Sequence, residues 1–245
     1  MQEIAYKMMK EHAGRHFWYD GREKIILGLL EDIIDNSVER IIDYGCGTGK
    51  LISSLTSIYP KKEIHGADIS ESAIEHCMQS GLTNITNLNI NEPKKQYYDL
   101  ILCCDVLEHI LDEEEFLNRL KAMLRTEGKI LFTVPAYNIL WSGEDYVSKH
   151  FRRYTKRRLI KTLARTEMSA IQSSYFNILL FFPLLGVLLM KRVFQPRSMY
   201  KTDIGNMNRV ANLILAWIFA SERWLLKYVS LPFGASIIVV AKTKK

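Results

Sequence analysis

Short apolar runs and amphipathic stretches alternate along the chain from residue 40 to residue 134. Ile41-Ile42 followed by Asp43, Glu63-Ile64-His65-Gly66-Ala67, Tyr98-Asp99-Leu100-Ile101-Leu102-Cys103-Cys104 and Lys129-Ile130-Leu131-Phe132-Thr133-Val134 read as strands. Helical spacing fills the gaps: Asp20 to Ile34, with apolar residues at 25, 26, 29, 30, 33 and 34, then Thr48 to Ile58, Ser70 to Gln79 and Asp112 to Leu124. Ser70 and Asp112 are suited to N-cap two of these helices. Strands alternating with helices predict an α/β fold, a parallel sheet with helices on both faces. Two more strand-like runs come late, Ala170 to Phe176 and Ala235 to Ala241.

The 57 residues from Ile178 to Gly234 separate those two runs, too many for a hairpin, and are expected to form a helical insertion. Ile178 to Met190 is uncharged, interrupted by Pro183 and followed by Lys191-Arg192. At about 1.5 Å per residue it is too short to cross a hydrocarbon layer of roughly 30 Å. Met207 to Tyr228 carries Leu213, Ile214, Trp217, Ile218, Trp224 and Leu225 with Arg209, Arg223 and Lys227. Two readings stand: a lid over the substrate cleft, or an interfacial membrane contact. The expected layout is an N-terminal helical flap at 1–36, a core at 37–177, the insertion at 178–234 and a final edge strand at 235–245.

A glycine-rich turn follows the first strand. Gly45, Gly47 and Gly49 allow positive φ and expose main-chain N–H groups to a ligand. A dinucleotide turn, G-x-G-x-x-G, would need glycine at Lys50 or at Ile52, and a P-loop would need glycine at Tyr44 and Ser or Thr at Leu51. Both fail. The remaining form, Asp43-x-Gly45-x-Gly47-x-Gly49, resembles the class I S-adenosylmethionine (SAM)-dependent methyltransferases. Matching offsets continue with Asp68 at the end of the second strand and Asp105-Val106-Leu107-Glu108-His109 after the fourth. His16-Phe17-Trp18-Tyr19, Thr133-Val134-Pro135-Ala136-Tyr137, Leu140-Trp141-Ser142, His150-Phe151-Arg152-Arg153-Tyr154 and Leu231-Pro232-Phe233-Gly234 extend the likeness to a bacterial and archaeal subgroup.

That resemblance implies a Rossmann-like seven-stranded sheet closed by an antiparallel edge pair. It also implies SAM contacts from Asp43, Gly45, Cys46, Gly47, Gly49, Asp68, Ile69, Asn89 and Asp105, with Asp68 on the ribose hydroxyls and Asn89, or Asn91, at the adenine. His109 and His150 are the candidate general bases, oriented by Asp105 and Glu108. Asp105-x-x-Glu108-His109 with His150 is also similar to the Mg²⁺-holding set of ubiquinone-biosynthesis O-methyltransferases, so Mg²⁺ is an option, with aspartate standing where glutamate is usual. Tyr137, Trp141, Arg152, Arg153 and Tyr154 are expected on the acceptor side.

Composition adds three expectations. The 245 residues, 48% apolar, suffice for one good core. Lys149 to Arg165 holds eight Lys or Arg and no acid, which points to a solvated helix face or, through Arg152 and Arg153, to an anionic acceptor such as a phosphorylated or lipid-linked sugar, or to anionic lipid headgroups. No RNA-binding module accompanies the basic stretch, which argues against nucleic acid. Met1 to Tyr6 shows no export signal, and cysteines 46, 77, 103 and 104 lack zinc or redox spacing, so a cytoplasmic protein with reduced thiols, peripheral at the inner membrane face, is expected. The preferred activity is O-methylation; a soluble quinone-pathway or natural-product methyltransferase and a non-catalytic SAM-binding scaffold are the alternatives.

Overall fold

A computed structural model describes residues 16–196, 200–202 and 207–244. The first fifteen residues of the expected flap lie outside the described residues. Helix α1 (Phe17–Ile33) starts earlier than its apolar spacing suggested, because the His16 ring accepts the Trp18 N–H as an N-cap. It buries Ile25, Ile26, Leu29 and Leu30. Strand β1 (Arg40–Tyr44) then runs through the centre of the molecule.

The central βα units follow the predicted order. They are α2 (Lys50–Ile58), β2 (Glu63–Asp68), α3 (Glu71–Gln79), β3 (Ile85–Asn87), β4 (Tyr98–Cys104), α4 (Glu113–Met123) and β5 (Leu124–Pro135). Ser70 and Asp112 cap α3 and α4, accepting the N–H groups of Ala73 and Glu115. Strand β3 escaped the sequence reading: its three residues, Ile85-Thr86-Asn87, are half-buried and form no apolar run. Helix α2 begins at Lys50 rather than Thr48, since Gly49 holds a left-handed backbone that no helix can include.

Beyond β5 come α5 (Gly143–Val147), α6 (Lys156–Arg165), β6 (Met168–Phe176), α7 (Phe181–Phe194), α8 (Arg209–Leu226) and β7 (Ser236–Thr243). The seven strands order as β3-β2-β1-β4-β5-β7-β6, all parallel except β7, which runs antiparallel to both neighbours. The sheet and its edge pair are those the glycine-turn resemblance implied.

The insertion forms two helices, as its apolar spacing predicted. Pro183 is the third residue of α7, where its missing N–H would have no partner within the helix. Helix α8 packs on α1: Phe219 is fully buried, and a side chain at Gly21 would collide with its ring. Phe219 and Leu226 belong to the main core, so the insertion extends that core. Buried Glu222 fixes the junction, accepting the N–H groups of Asn177 (2.6 Å) and Leu179 (2.9 Å) where the chain leaves β6. Among the described residues no helix is long and apolar enough to cross a membrane.

Candidate functional site

In an open α/β sheet ligands bind outside the carboxyl ends of the strands. Here the β1 end carries the glycine turn, with φ of 82° at Gly45, 53° at Gly47 and 72° at Gly49. The turn differs from the bare one expected. Gly45 and Cys46 both donate to Ala67 O (2.7 and 3.1 Å), Gly47 donates to Asp68 Oδ2 (2.8 Å), and Gly49 donates to Cys46 O (3.0 Å). The space above two glycines is also taken. A Cβ at Gly45 would strike Val106, and one at Gly49 would lie 2.5 Å from Leu82 Cδ1 and 2.8 Å from Cys77 Sγ. These glycines serve a left-handed backbone and close packing of the turn onto its neighbours, rather than leaving open amides.

Asp68 organises this end of the sheet. Besides Gly47 it accepts the Ser70 N–H through Oδ1 (2.9 Å), and a carboxylate offers about four acceptor directions. Ile69, exposed, and Asn89 form the adjoining rim, joined by Asn89 Nδ2 donating to Ile69 O at 2.7 Å. The ribose and adenine candidates are therefore neighbours. Asn91 donates its N–H to Asn87 O.

Asp43 lies beneath the turn, buried, with Oδ1 lacking a hydrogen-bond partner. Burial pushes its carboxyl up to about 7, opposed by the Arg22 guanidinium and reinforced by Asp68. It therefore takes up negative charge as pH rises through neutrality. The affinity for SAM, a sulfonium with an α-ammonium, should increase from about pH 6 to about pH 8, and Asp43→Asn should flatten that rise. Calorimetric titrations at the two pH values measure both.

Arg22 is the residue that sequence reasoning missed. It reaches from α1 over the ends of β4 and β5, its Nε 2.5 Å from Asp105 Oδ2 at an angle outside hydrogen-bond geometry, and its Nη2 3.4 Å from Thr133 Oγ1. Asp105, with φ of 56°, also accepts the Thr133 hydroxyl (3.0 Å). The available signal was a lone arginine one turn ahead of Ile25 and Ile26, on the stripe that α1 buries. Asp105 thus belongs with Arg22 and Thr133, apart from the metal-like grouping in which the sequence placed it.

The remaining grouping is Glu108, His109 and His150, whose ligand atoms lie within 4.8 Å of one another. The two imidazoles meet at 4.6 Å and 77°. Glu108 is buried with neither oxygen hydrogen-bonded, and burial, followed by repulsion from Asp105, holds its carboxyl well above the usual range. Burial, with His150 adding to it, pushes His109 down to about 3, and its Nδ1 has no partner. His109 is therefore neutral and a weak base.

His150 is placed differently. Its Nδ1 lies 2.7 Å from Oδ1 of Asp145, a carboxylate with no exposed surface. Asp145 also accepts Arg153 through two bonds (2.8 and 2.7 Å) and the Ser142 N–H (2.7 Å) in the capping box of α5. Burial alone would raise its carboxyl; the hydrogen bonds from His150 and Arg153 outweigh it and hold Asp145 down at about 2. An ionised carboxylate on Nδ1 leaves Nε2 as the basic nitrogen.

Three of the acceptor-side candidates stand in internal pairings. Arg153 is tied to Asp145 and to Ala136 O (3.2 Å), and Arg152 to Glu113 (2.7 Å) and Leu111 O (3.1 Å). Tyr154 is buried, its hydroxyl bonded to Glu113 (2.6 Å) and within 3.2 Å of Leu107 O. Arg152 and Tyr154 clamp the segment after β5 onto the start of α4 and the loop before it, while Arg153 braces that segment internally. Tyr137 stacks on Tyr175 at 5.2 Å, and Trp141 packs edge-on to Tyr146 at 6.0 Å. The four cysteines are buried free thiols.

A doubly wound sheet in this strand order, with a glycine turn after β1 and a buried aspartate ending β2, defines a SAM-dependent methyltransferase of the α/β class. The chain belongs to the methyltransferase-domain family, whose pattern matches residues 14–172. The ubiquinone biosynthesis O-methyltransferase of Nitrosomonas europaea is 25% identical over 163 residues, covering 57% of this chain and 68% of that protein. That of Idiomarina loihiensis is 25% identical over 187 residues, 68% and 75% of the two chains. That of Coxiella burnetii is 28% identical over 133 residues, 49% of this chain and 56% of its own. Among solved structures, the plantazolicin methyltransferase BpumL, in complex with a triazolic desmethylPZN analogue and SAH, superposes with a TM-score of 0.61 at 16% identity, over 98% of this chain and 90% of that one. A putative methyltransferase in complex with the Haloferax volcanii Trm112 activator gives 0.60 at 11% identity, over 99% and 95%. These last two likenesses concern the fold.

Proposed function

We propose that the protein transfers the SAM methyl group to a hydroxyl of a small, largely apolar acceptor, with His150 as general base. The observation that carries this reading is the 2.7 Å contact between His150 and fully buried Asp145. Methyl transfer from a sulfonium requires chiefly that acceptor oxygen, methyl carbon and sulfur be aligned and that the hydroxyl proton have somewhere to go. Nε2 of His150 would receive that proton as the C–O bond forms and the C–S bond breaks. Asp145 would hold the imidazole orientation and stabilise its charged form.

On the cofactor side, Asp68 would bind the ribose hydroxyls, Ile69 and Asn89 the adenine, and Asp43 the cationic methionyl end. Arg22 would take the methionyl carboxylate, exchanging its contact with Asp105 for a ligand anion. With Arg152 and Arg153 both paired, an anionic acceptor loses the arms the sequence had lent it. Tyr137, Ile139 and Trp141 offer an aromatic and apolar rim instead, in keeping with relatives named for ubiquinone biosynthesis.

The unpartnered oxygens of Glu108 favour a second reading, in which Glu108, His109 and His150 hold a divalent cation. Two imidazoles and one carboxylate suit Mn²⁺, Fe²⁺ or Zn²⁺ better than Mg²⁺. Such an ion would supply Lewis acidity toward the acceptor oxygen. Transfer of label from methyl-labelled SAM to phenolic and quinol acceptors tests the main reading, and no transfer to any hydroxyl compound contradicts it. Full turnover in excess chelator is the expected result for the Asp145–His150 pair alone. Loss on chelation, restored by a divalent metal, decides for the second reading.

A further inference from the structure

Helix α8 is apolar on two sides, and among the described residues only one of them is covered. Ala216, Phe219 and Ala220 face the core, while Val210, Leu213, Ile214, Trp217, Trp224 and Tyr228 are exposed at spacings that place them on one stripe along the helix and just past its end. Trp217 is 68% exposed and Tyr228 86%. On α7, Phe182, Met190, Val193 and Phe194 are likewise exposed. Apolar surface of this extent marks an interaction site.

Charge identifies the occupant. Residues 178–234 contain seven Lys or Arg and two acids, so they carry five of the chain's six net positive charges. One of those acids, Glu222, is buried and engaged by main-chain N–H groups. Two cations border the apolar stripe, Arg209 opening α8 and Arg223 lying 4.7 Å over the Trp224 ring, while Lys227 past the last turn is paired with Glu31 at 2.6 Å. Two copies joined through such faces would bring like charges together. An anionic lipid surface instead neutralises them, and tryptophan and tyrosine beside Lys and Arg are the side chains that favour the headgroup boundary.

We propose that α8, with α7, seats the protein on an anionic bilayer as a monotopic contact. Arg192 of α7 donates to the carbonyls of Ile139 (2.7 Å) and Trp141 (2.9 Å), so the seated helix adjoins the acceptor-side loop after β5. The acceptor is then an amphiphile drawn from the lipid phase. This last consequence rests on the acceptor reading above; the docking does not.

The test is co-sedimentation of the full chain with vesicles of phosphatidylcholine alone and of phosphatidylcholine with phosphatidylglycerol. The expected result is pelleting with phosphatidylglycerol, a blue shift in tryptophan emission, and release by salt. Trp217→Glu with Leu213→Glu on α8, and separately Val193→Glu with Phe194→Glu on α7, should lose pelleting while S-adenosylhomocysteine binding by calorimetry is unchanged. Wild-type protein that stays in the supernatant with both vesicle types overturns the proposal. So does a dimer in sedimentation velocity that Trp217→Glu dissociates, which would make α8 a subunit interface. Lost methyl transfer with retained vesicle binding would count against the reaction assignment and leave the docking intact.

Discussion

Replacing His150 by glutamine is expected to lower turnover about 10²- to 10⁴-fold while leaving the affinity for SAM unchanged. The reason lies in the division of the site: His150 stands with Asp145 after β5, whereas Asp43, Asp68 and the glycine turn lie at the ends of β1 and β2. Single-turnover rates and SAM calorimetry on the same preparation separate the two effects. A His150→Gln enzyme with wild-type turnover would remove the proposed base. Asp145→Asn should also be slow, and less stable. It leaves Arg153 buried beside a neutral amide, a change that typically costs about 3–5 kcal/mol. The Asp145 carboxyl sits at about 2 against an ordinary 3.8. A depressed carboxylate stabilises the fold above its unfolded value, so this contribution, on the order of 2–3 kcal/mol, is fully present above about pH 5. It disappears as pH falls toward 2, and acid unfolding of Asp145→Asn should lack it.

Replacing Asp68 by alanine should weaken S-adenosylhomocysteine binding by a factor of about 10² or more. Two charge-assisted hydrogen bonds to ribose, at about 1.5–3 kcal/mol each, set that scale. The same carboxylate also accepts the N–H groups of Gly47 and Ser70, so the variant loosens the glycine turn as well. Asp68→Asn keeps the shape and part of the acceptor capacity, and should fall between wild type and alanine. Equal affinity in all three proteins would mean that the ribose lies elsewhere.

What could be read from the chain beforehand was mostly local. The glycine turn, the aspartate ending β2 and the caps Ser70 and Asp112 follow from a few adjacent residues, and the structure places all of them at the expected element ends. Contacts made across the fold were not readable. Arg22 belongs to no motif, and only the packing of α1 brings it over Asp105 and Thr133. Arg152, Arg153 and Tyr154 looked like acceptor groups because their spacing cannot show that Glu113 and Asp145 already satisfy them. Asp145 is the reverse case, a carboxylate in a polar stretch whose value emerges only when His150 folds back onto it. The turn amides were misjudged for a similar reason: their partners, Ala67 O and Asp68, belong to the neighbouring strand β2. Strand β3, short and polar, exists only through its pairing with β2.

Calorimetric titration of the wild-type protein with S-adenosylhomocysteine, repeated on Asp68→Ala, tests the central claim most directly. The arrangement of Asp43, Asp68 and the glycine turn predicts one site per chain, tightening as pH rises past about 7 and greatly weakened by the substitution. A folded protein that gives no binding heat, or one that binds equally well without the Asp68 carboxylate, would contradict it.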